Sequence, residues 1–251
     1  MIEIKKDYDP NKIVRNLAKN YRLVPLLEKA IVNFDEGWTY TATEKPIDYG
    51  WHPSTHATMS VTELYEEASY PEKERVKHSA SLLKIFAVGH FWHQYLQAVM
   101  VQDGLATLDD IERNVIKSWD TDPEDPARYH WVSGSADVCP WTDGEWTGGI
   151  DYKTMNAHQF KQEGFNEYFG TKYECQMNIY MWLFDQDEWM IFAINKDNGE
   201  FKEYYYERNQ PLIDAILEKW KFVSLCLETD TKPTAKDDKL FVLPELFGPV
   251  A

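Results

Sequence analysis

Two tight-turn tetrapeptides, each flanked by strand-like runs, limit what this chain can fold into more than any other feature. Thr142-Asp143-Gly144-Glu145 and Asp197-Asn198-Gly199-Glu200 carry the Asp/Asn/Gly chemistry that a hairpin needs where φ turns positive. The first predicts a hairpin between a strand over 128–141 and a returning strand, Trp146–Thr154. The second joins an apolar run, Trp189–Asn195, to Phe201–Glu207. Between the hairpins, Tyr173, Met177, Tyr180, Met181 and Phe184 share one side of a helix over 173–184, and Leu212–Leu227 reads as a final amphipathic helix. Upstream, Leu82, Ile85, Phe86, Gly89, His93, Leu96 and Met100 form a stripe at 3.6-residue spacing, which predicts a strong helix over Ser79–Val101. Thr107-Leu-Asp-Asp has capping-box character and predicts another helix to Trp119. A helix-like stretch runs from Asp9-Pro10 to Ala30, with Pro25 expected to kink or divide it, and 36–60 reads as a loop with a short hairpin. Helices followed by hairpin, helix, hairpin and helix describe an α/β (α+β) fold with a mixed central sheet flanked by helices and helical N-terminal additions. No linker divides the chain, so one domain is expected over 1–251, with an N-terminal extension over 1–60 and a core over 80–230.

Composition excludes several classes. With 43% hydrophobic and 27% charged residues, 251 residues bury a sizeable core, and a disordered chain is ruled out. No run of eighteen apolar residues occurs, and the start MIEIKKDYDPNK lacks the apolar core of a secretory signal. No membrane contact and a cytoplasmic location are therefore expected. The net charge of −16 weighs against nonspecific binding to nucleic acid, although a local groove can differ from the far field and metal sites themselves need carboxylates. Cys139, Cys175 and Cys226 form no CxxC pair; they read as buried free thiols in a reducing compartment.

The chemistry concentrates on the first hairpin. With its turn near 142–145, Asp137 and Asp151 lie roughly opposite each other on neighbouring strands, within reach of one hard cation such as Mg²⁺ or Mn²⁺. Asp151 and Lys153 are two apart and so share a strand face, which sets an ammonium beside the carboxylate. Each further feature is weak alone. Gly89 and His93 lie one turn apart on the strong helix, where a lone His is more often a satisfied core residue. Gln176 and Tyr180 lie at i and i+4 on a later helix, where such a pair is more often surface. A His/carboxylate oxygenase using His130 and Asp137 is disfavoured, because residues seven apart fall on opposite faces of a regular strand. An aromatic-rich, non-catalytic binding module built on 36–51 is the other alternative.

Taken in order, Gly89/His93, Gly134/Asp137, Asp151/Lys153 and Gln176/Tyr180 resemble the motifs of the RecB-like branch of the PD-(D/E)XK nucleases: G-x-x-x-H, G-x-x-D, (D/E)-x-K and Q-x-x-x-Y. The resemblance spans residues 80–185, with Trp51-His-Pro-Ser54 similar to the entry segment of phage members. It implies a restriction-endonuclease-like core and a Mg²⁺- or Mn²⁺-dependent DNA exonuclease using one or two ions. His93, Asp137, Asp151 and the Tyr152 carbonyl would be metal ligands. Asp137, Asp151 and Lys153 would be catalytic, with Lys153 positioning or activating water, and Gln176 and Tyr180 would hold the substrate backbone or the surroundings of the lysine. It further implies DNA, single-stranded or as duplex ends, as partner, and a role in phage recombination, replication or repair in a bacterial host cytoplasm. A recombination or single-strand-binding protein partner, an oligomer, and a structure-specific endonuclease activity stay open. The chain departs from the pattern in having Asp151 where many relatives have Glu and Gln94 where Glu is common. It also lacks the cysteine arrangement of cluster-bearing relatives, so no iron–sulfur cluster is expected. Lys73, Arg75, Lys77, Lys161 and Lys172 are candidates to line a DNA groove, and Trp51, Trp92 and Tyr180 to stack on unpaired bases, with weak, salt-sensitive binding.

Overall fold

The computed structural model describes residues 21–32, 50–69, 80–119, 128–161 and 167–249. Its helices are α1 (Val24–Val32), α2 (Pro53–His56), α3 (Val61–Ser69), α4 (Ala80–Gln102), α5 (Ala157–Lys161), α6 (Glu167–Phe184) and α7 (Gln210–Glu228). Five strands, β1 (Ile111–Ser118), β2 (Trp131–Thr142), β3 (Thr147–Met155), β4 (Glu188–Asn195) and β5 (Phe201–Glu207), lie in one sheet in chain order. Neighbours are antiparallel except β3 and β4, which run parallel. A parallel step cannot be closed by a hairpin, and α5 and α6 supply its crossover. The result is the expected mixed α/β architecture, a five-stranded mixed sheet flanked by helices.

Both turn tetrapeptides sit where the sequence places them. Gly144 and Gly199 have φ of 94° and 79°, and the β4–β5 ladder closes at Ile194–Phe201. Strand alternation divides the core in two. Trp189 and Ile191 of β4 join Ala136 and the buried residues of α6 and α7 on one face, whereas Met190, Phe192 and Ile194 join Leu96, Val99 and Met100 of α4 and the apolar side of α1 on the other. α7 begins at Asn209, whose side chain accepts from the Leu212 amide at 3.2 Å, with a proline in the first turn.

Two expectations are corrected. The helix predicted over 107–119 is a single 3₁₀ turn, Leu108–Asp110, followed by β1. The capping box does form, with the Thr107 amide and hydroxyl donating to Asp110 Oδ2 at 2.9 and 2.7 Å. The residues beyond it, however, pair antiparallel with Trp131–Val138, and the ladder hydrogen bonds together with β-branched Ile111, Val115 and Ile116 outweigh the helix start signal. Pro25 lies in the first turn of α1, where a missing amide costs nothing; residues 21–23 before it are not helical, so a helix begins at the proline, and the stretch upstream of Tyr21 lies outside the described residues. Glu203 of β5 accepts the amide of Val24, the first residue of α1, at 2.5 Å and those of Arg22 and Leu23, just before the helix, at 2.7 and 2.7 Å. Within 50–60, the loop expectation gives way to a parallel bridge from Trp51 to Val132 and to α2, while 10–20 and 36–49 lie outside the described residues. Cys139, Cys175 and Cys226 are buried and free. Among the described residues no helix is long and apolar enough to cross a membrane.

Candidate active site

The site is assembled where β2, β3, α4 and α6 meet. Val138 of β2 pairs with Ile150 of β3, so Asp137 and Asp151 come one residue on, on adjacent strands. Alternation along β2 breaks at Asp137: Ala136 packs in one core cluster and Val138, two residues later, in the other. The irregularity turns the Asp137 carboxylate toward α4 and the open side of β3. Its Oδ2 accepts the Tyr152 amide at 2.6 Å, and its Oδ1 lies 3.3 Å from His93 Nδ1.

Asp151 and Lys153 project together toward α6. Lys153 Nζ lies 2.5 Å from Asp151 Oδ2, and Gln176 Nε2 reaches Asp151 Oδ1 at 3.3 Å and the Tyr180 hydroxyl at 3.3 Å. Asp151, Gln176 and Tyr180 are all buried, at 4%, 2% and 5% exposure, so Gln176 holds the carboxylate, and the Tyr180 hydroxyl holds Gln176, without standing on an open surface. Tyr152 points its ring the other way, onto α4, where its hydroxyl meets Met100 Sδ at 2.8 Å.

Glycine at two motif positions has a steric cause. A Cβ on Gly134 would lie 2.9 Å from both Leu183 Cδ2 and Tyr180 Cε1, so its absence lets α6 settle onto β2 and deliver Tyr180. A Cβ on Gly89 would stand 3.3 Å from Thr154 Oγ1, so α4 can approach β3 closely enough for His93 to reach Asp137.

Charges in the cluster hold one another. Burial works against ionising Asp137, but the imidazole of His93, the Lys153 ammonium and the Tyr152 amide together hold its carboxyl below the ordinary value. His93 is moved the opposite way: burial disfavours its charge, yet Asp137 prevails and raises it. Burial raises the Asp151 carboxyl even with Lys153 beside it, and Lys153, penalised by the same burial, is held as an ammonium by Asp151.

These groups border a cleft of about 730 Å³, together with His52, Ser54, Ser133 and Ser135. Ile85 and Phe86 of α4 form an exposed apolar wall to it. Sequence reasoning missed Glu112, which also lines the cleft. Glu112 sits on β1 across from Asp137 with φ of 49°, a left-handed conformation that a glutamate adopts only under constraint. Its carboxylate accepts from Gln97 Nε2 and Ser135 Oγ, both at 3.1 Å, while Gln97 also donates to the Asp137 carbonyl at 3.3 Å. No local motif marks it; only recognising β1 as a strand would have set it opposite Asp137.

Other candidates fall elsewhere. Trp51 is 1% exposed, stacked on Trp220 with centroids 6.1 Å apart, and cannot receive a base. Trp92 packs edge-on against Phe201, away from the cleft. Tyr180 lines the cleft but is buried, leaving no free ring face for stacking. Lys161 and Lys172 do not border it, and Lys73, Arg75 and Lys77 lie outside the described residues. Among the described lining residues Lys153 is the only Lys or Arg. His130 contacts Glu228 of α7 rather than Asp137.

The donor types suit a hard divalent cation: two carboxylates, an imidazole and backbone carbonyls. Asp151 Oδ2 is buried and takes no hydrogen bond beyond its ion pair with Lys153, which fits a carboxylate oxygen built to meet a cation. The donors are closed into pairs, however, and among the described residues no three His, Cys, Asp or Glu side chains are gathered closely enough to enclose an ion.

No protein-family model and no curated protein matches the chain. Among solved structures, that of SSO0001 is similar at 16% identity over 79% of this chain and 84% of that one, with a TM-score of 0.46. The alkaline exonuclease LHK-Exo from Laribacter hongkongensis, in complex with dAMP, is similar at 14% identity over 72% and 89%, TM-score 0.42. A phage-related exonuclease from Haemophilus somnus is similar at 15% identity over 67% and 82%, TM-score 0.37.

Proposed function

We propose that the protein is a divalent-metal-dependent nuclease of the PD-(D/E)XK type, an exonuclease hydrolysing phosphodiester bonds of DNA. The observation that carries this reading is the convergence on one cleft of Asp137, Asp151 and Lys153, with His93 on Asp137 and Gln176 on Asp151. Once the His93–Asp137 and Lys153–Asp151 pairs part, His93, Asp137 and Asp151, with the Tyr152 carbonyl, would hold Mg²⁺ or Mn²⁺, which when bound would polarise the phosphate and favour ionisation of a water. The residues themselves do the positioning. The Tyr152 amide fixes Asp137, and Gln176 holds one oxygen of Asp151 while Lys153 takes the other. Lys153 supplies an ammonium that orients water and stabilises charge developing on the phosphate.

The acidic balance fits a cleft in which a cation and Lys153, the only Lys or Arg among its described lining residues, rather than a broad basic face, meet the phosphates. A role in phage recombination, replication or repair, and a recombination or single-strand-binding partner, rest on the motif resemblance and are proposed with it. End-labelled linear and closed circular DNA, incubated with Mg²⁺, Mn²⁺ or chelator, tests the reading. Metal-dependent loss of the linear form alone supports an exonuclease, cleavage of both supports an endonuclease of the same fold, and stability of both contradicts the proposal.

A further inference from the structure

Among the described residues, Asp151 and Tyr173 stand against the Lys153 ammonium, and the charge of Asp137 also reaches it. Asp151 Oδ2 is 2.5 Å away, and the ring of Tyr173, one turn before Gln176 on α6, has its centroid 5.5 Å from Nζ. The ring is held in place: Phe169 stacks on it with centroids 5.7 Å apart at 26°. From this geometry, and resting on the nuclease reading, we infer that Tyr173 is a positioning residue that keeps Lys153 in place when Asp151 turns its charge to a metal ion.

Asp151 Oδ2 cannot serve Lys153 and a divalent cation equally, so metal loading loosens the ion pair. A further carboxylate against the lysine, besides Asp151 and the more distant Asp137, would compete for the metal, and an apolar neighbour would offer the partly buried ammonium no attraction. An aromatic face does neither: its quadrupole attracts the cation but offers no oxygen to a hard metal. Tyr173 thus lowers the cost of parting Lys153 from Asp151 and so favours metal binding at a carboxylate it never touches. Its hydroxyl is not needed for this, so Phe should replace it and Leu should not. The attraction of a desolvated cation to a ring corresponds to a roughly 3- to 30-fold effect.

The test compares wild type, Tyr173→Phe and Tyr173→Leu, with Phe169→Leu as a variant that loosens the ring without removing it. In metal-free protein, the Lys153 ε-methylene NMR signals should show a ring-current shift in wild type and Tyr173→Phe that is lost in Tyr173→Leu and reduced in Phe169→Leu. Calorimetric Mn²⁺ titration should give a Kd about 3- to 30-fold weaker for Tyr173→Leu and unchanged for Tyr173→Phe. An unshifted wild-type signal, or equal Mn²⁺ affinity in all variants of a protein that still cuts DNA, overturns the role of Tyr173 and leaves the nuclease reading intact. A wild type that neither binds Mn²⁺ nor cuts DNA overturns both.

Discussion

Replacing Gly134 by alanine adds one methyl group where the structure has no room for it. The new Cβ would stand 2.9 Å from Leu183 Cδ2 and 2.9 Å from Tyr180 Cε1. Leu183 and Tyr180 are 1% and 5% exposed, so neither can swing into solvent, and α6 must shift by several tenths of an ångström. Overpacking of this kind costs about 1–3 kcal/mol. At roughly 2–4 °C per kcal/mol for a domain of this size, the melting midpoint should fall by about 2–12 °C. Activity should fall further than stability alone implies, because the displaced Tyr180 shares the Gln176 amide with Asp151. Thermal denaturation and DNA cleavage, the latter measured well below the midpoint, check the two parts. An alanine variant with unchanged midpoint and full activity would refute the close approach of α6 to β2 and the steric reason for this glycine.

The same geometry predicts other outcomes. Lys153→Met should reduce cleavage by about 10²–10³-fold, as does loss of a transition-state donor elsewhere, while circular dichroism stays native. Glu203→Gln removes the charge that accepts three amides and the Tyr205 hydroxyl; it should lower stability by about 1–3 kcal/mol in urea titration without changing cleavage at low temperature. His56, buried and accepting the His52 amide at 2.7 Å, has its pKa lowered by burial and by His52 to about 4. The unfolded chain therefore binds more protons than the native one between about pH 4 and 6.5, so stability rises with pH across that window. His56→Gln should flatten that slope when midpoints are compared at about pH 4.5 and 7. Purified protein should contain neither iron nor acid-labile sulfide.

The parts of this fold legible from sequence are those fixed by local turn chemistry and strand period. Asp143-Gly144 and Asn198-Gly199 set two hairpins, counting from the first turn places Asp137 roughly opposite Asp151, and strand period places Lys153 on the face of Asp151. The register itself depends on an irregularity between Val138 and Trp141 that the turn does not reveal. What escaped depends on partners remote in sequence. The Thr107–Asp110 capping box is real, but only the antiparallel run of β2 decides that a strand comes after it, and with β1 went Glu112. Pro25 reads as a break, and a helix does start there, but its anchoring by Glu203, about 180 residues away, could not be read from the sequence. Trp51 looks like a binding residue by type, yet its indole is enclosed by Trp220, Tyr129 and His56. Tyr173 reads as one member of an apolar stripe; its place beside Lys153 depends on how α6 is set against β3.

The central claim is that Asp137 and Asp151 act together on a phosphodiester with a divalent cation. The most direct measurement is Mg²⁺-supported release of nucleotides from end-labelled linear DNA by wild type, Asp137→Ala and Asp151→Ala in parallel, each variant checked for native circular dichroism. The account predicts release by wild type, none with chelator, and none by either folded variant. Release that persists in both folded variants would contradict it.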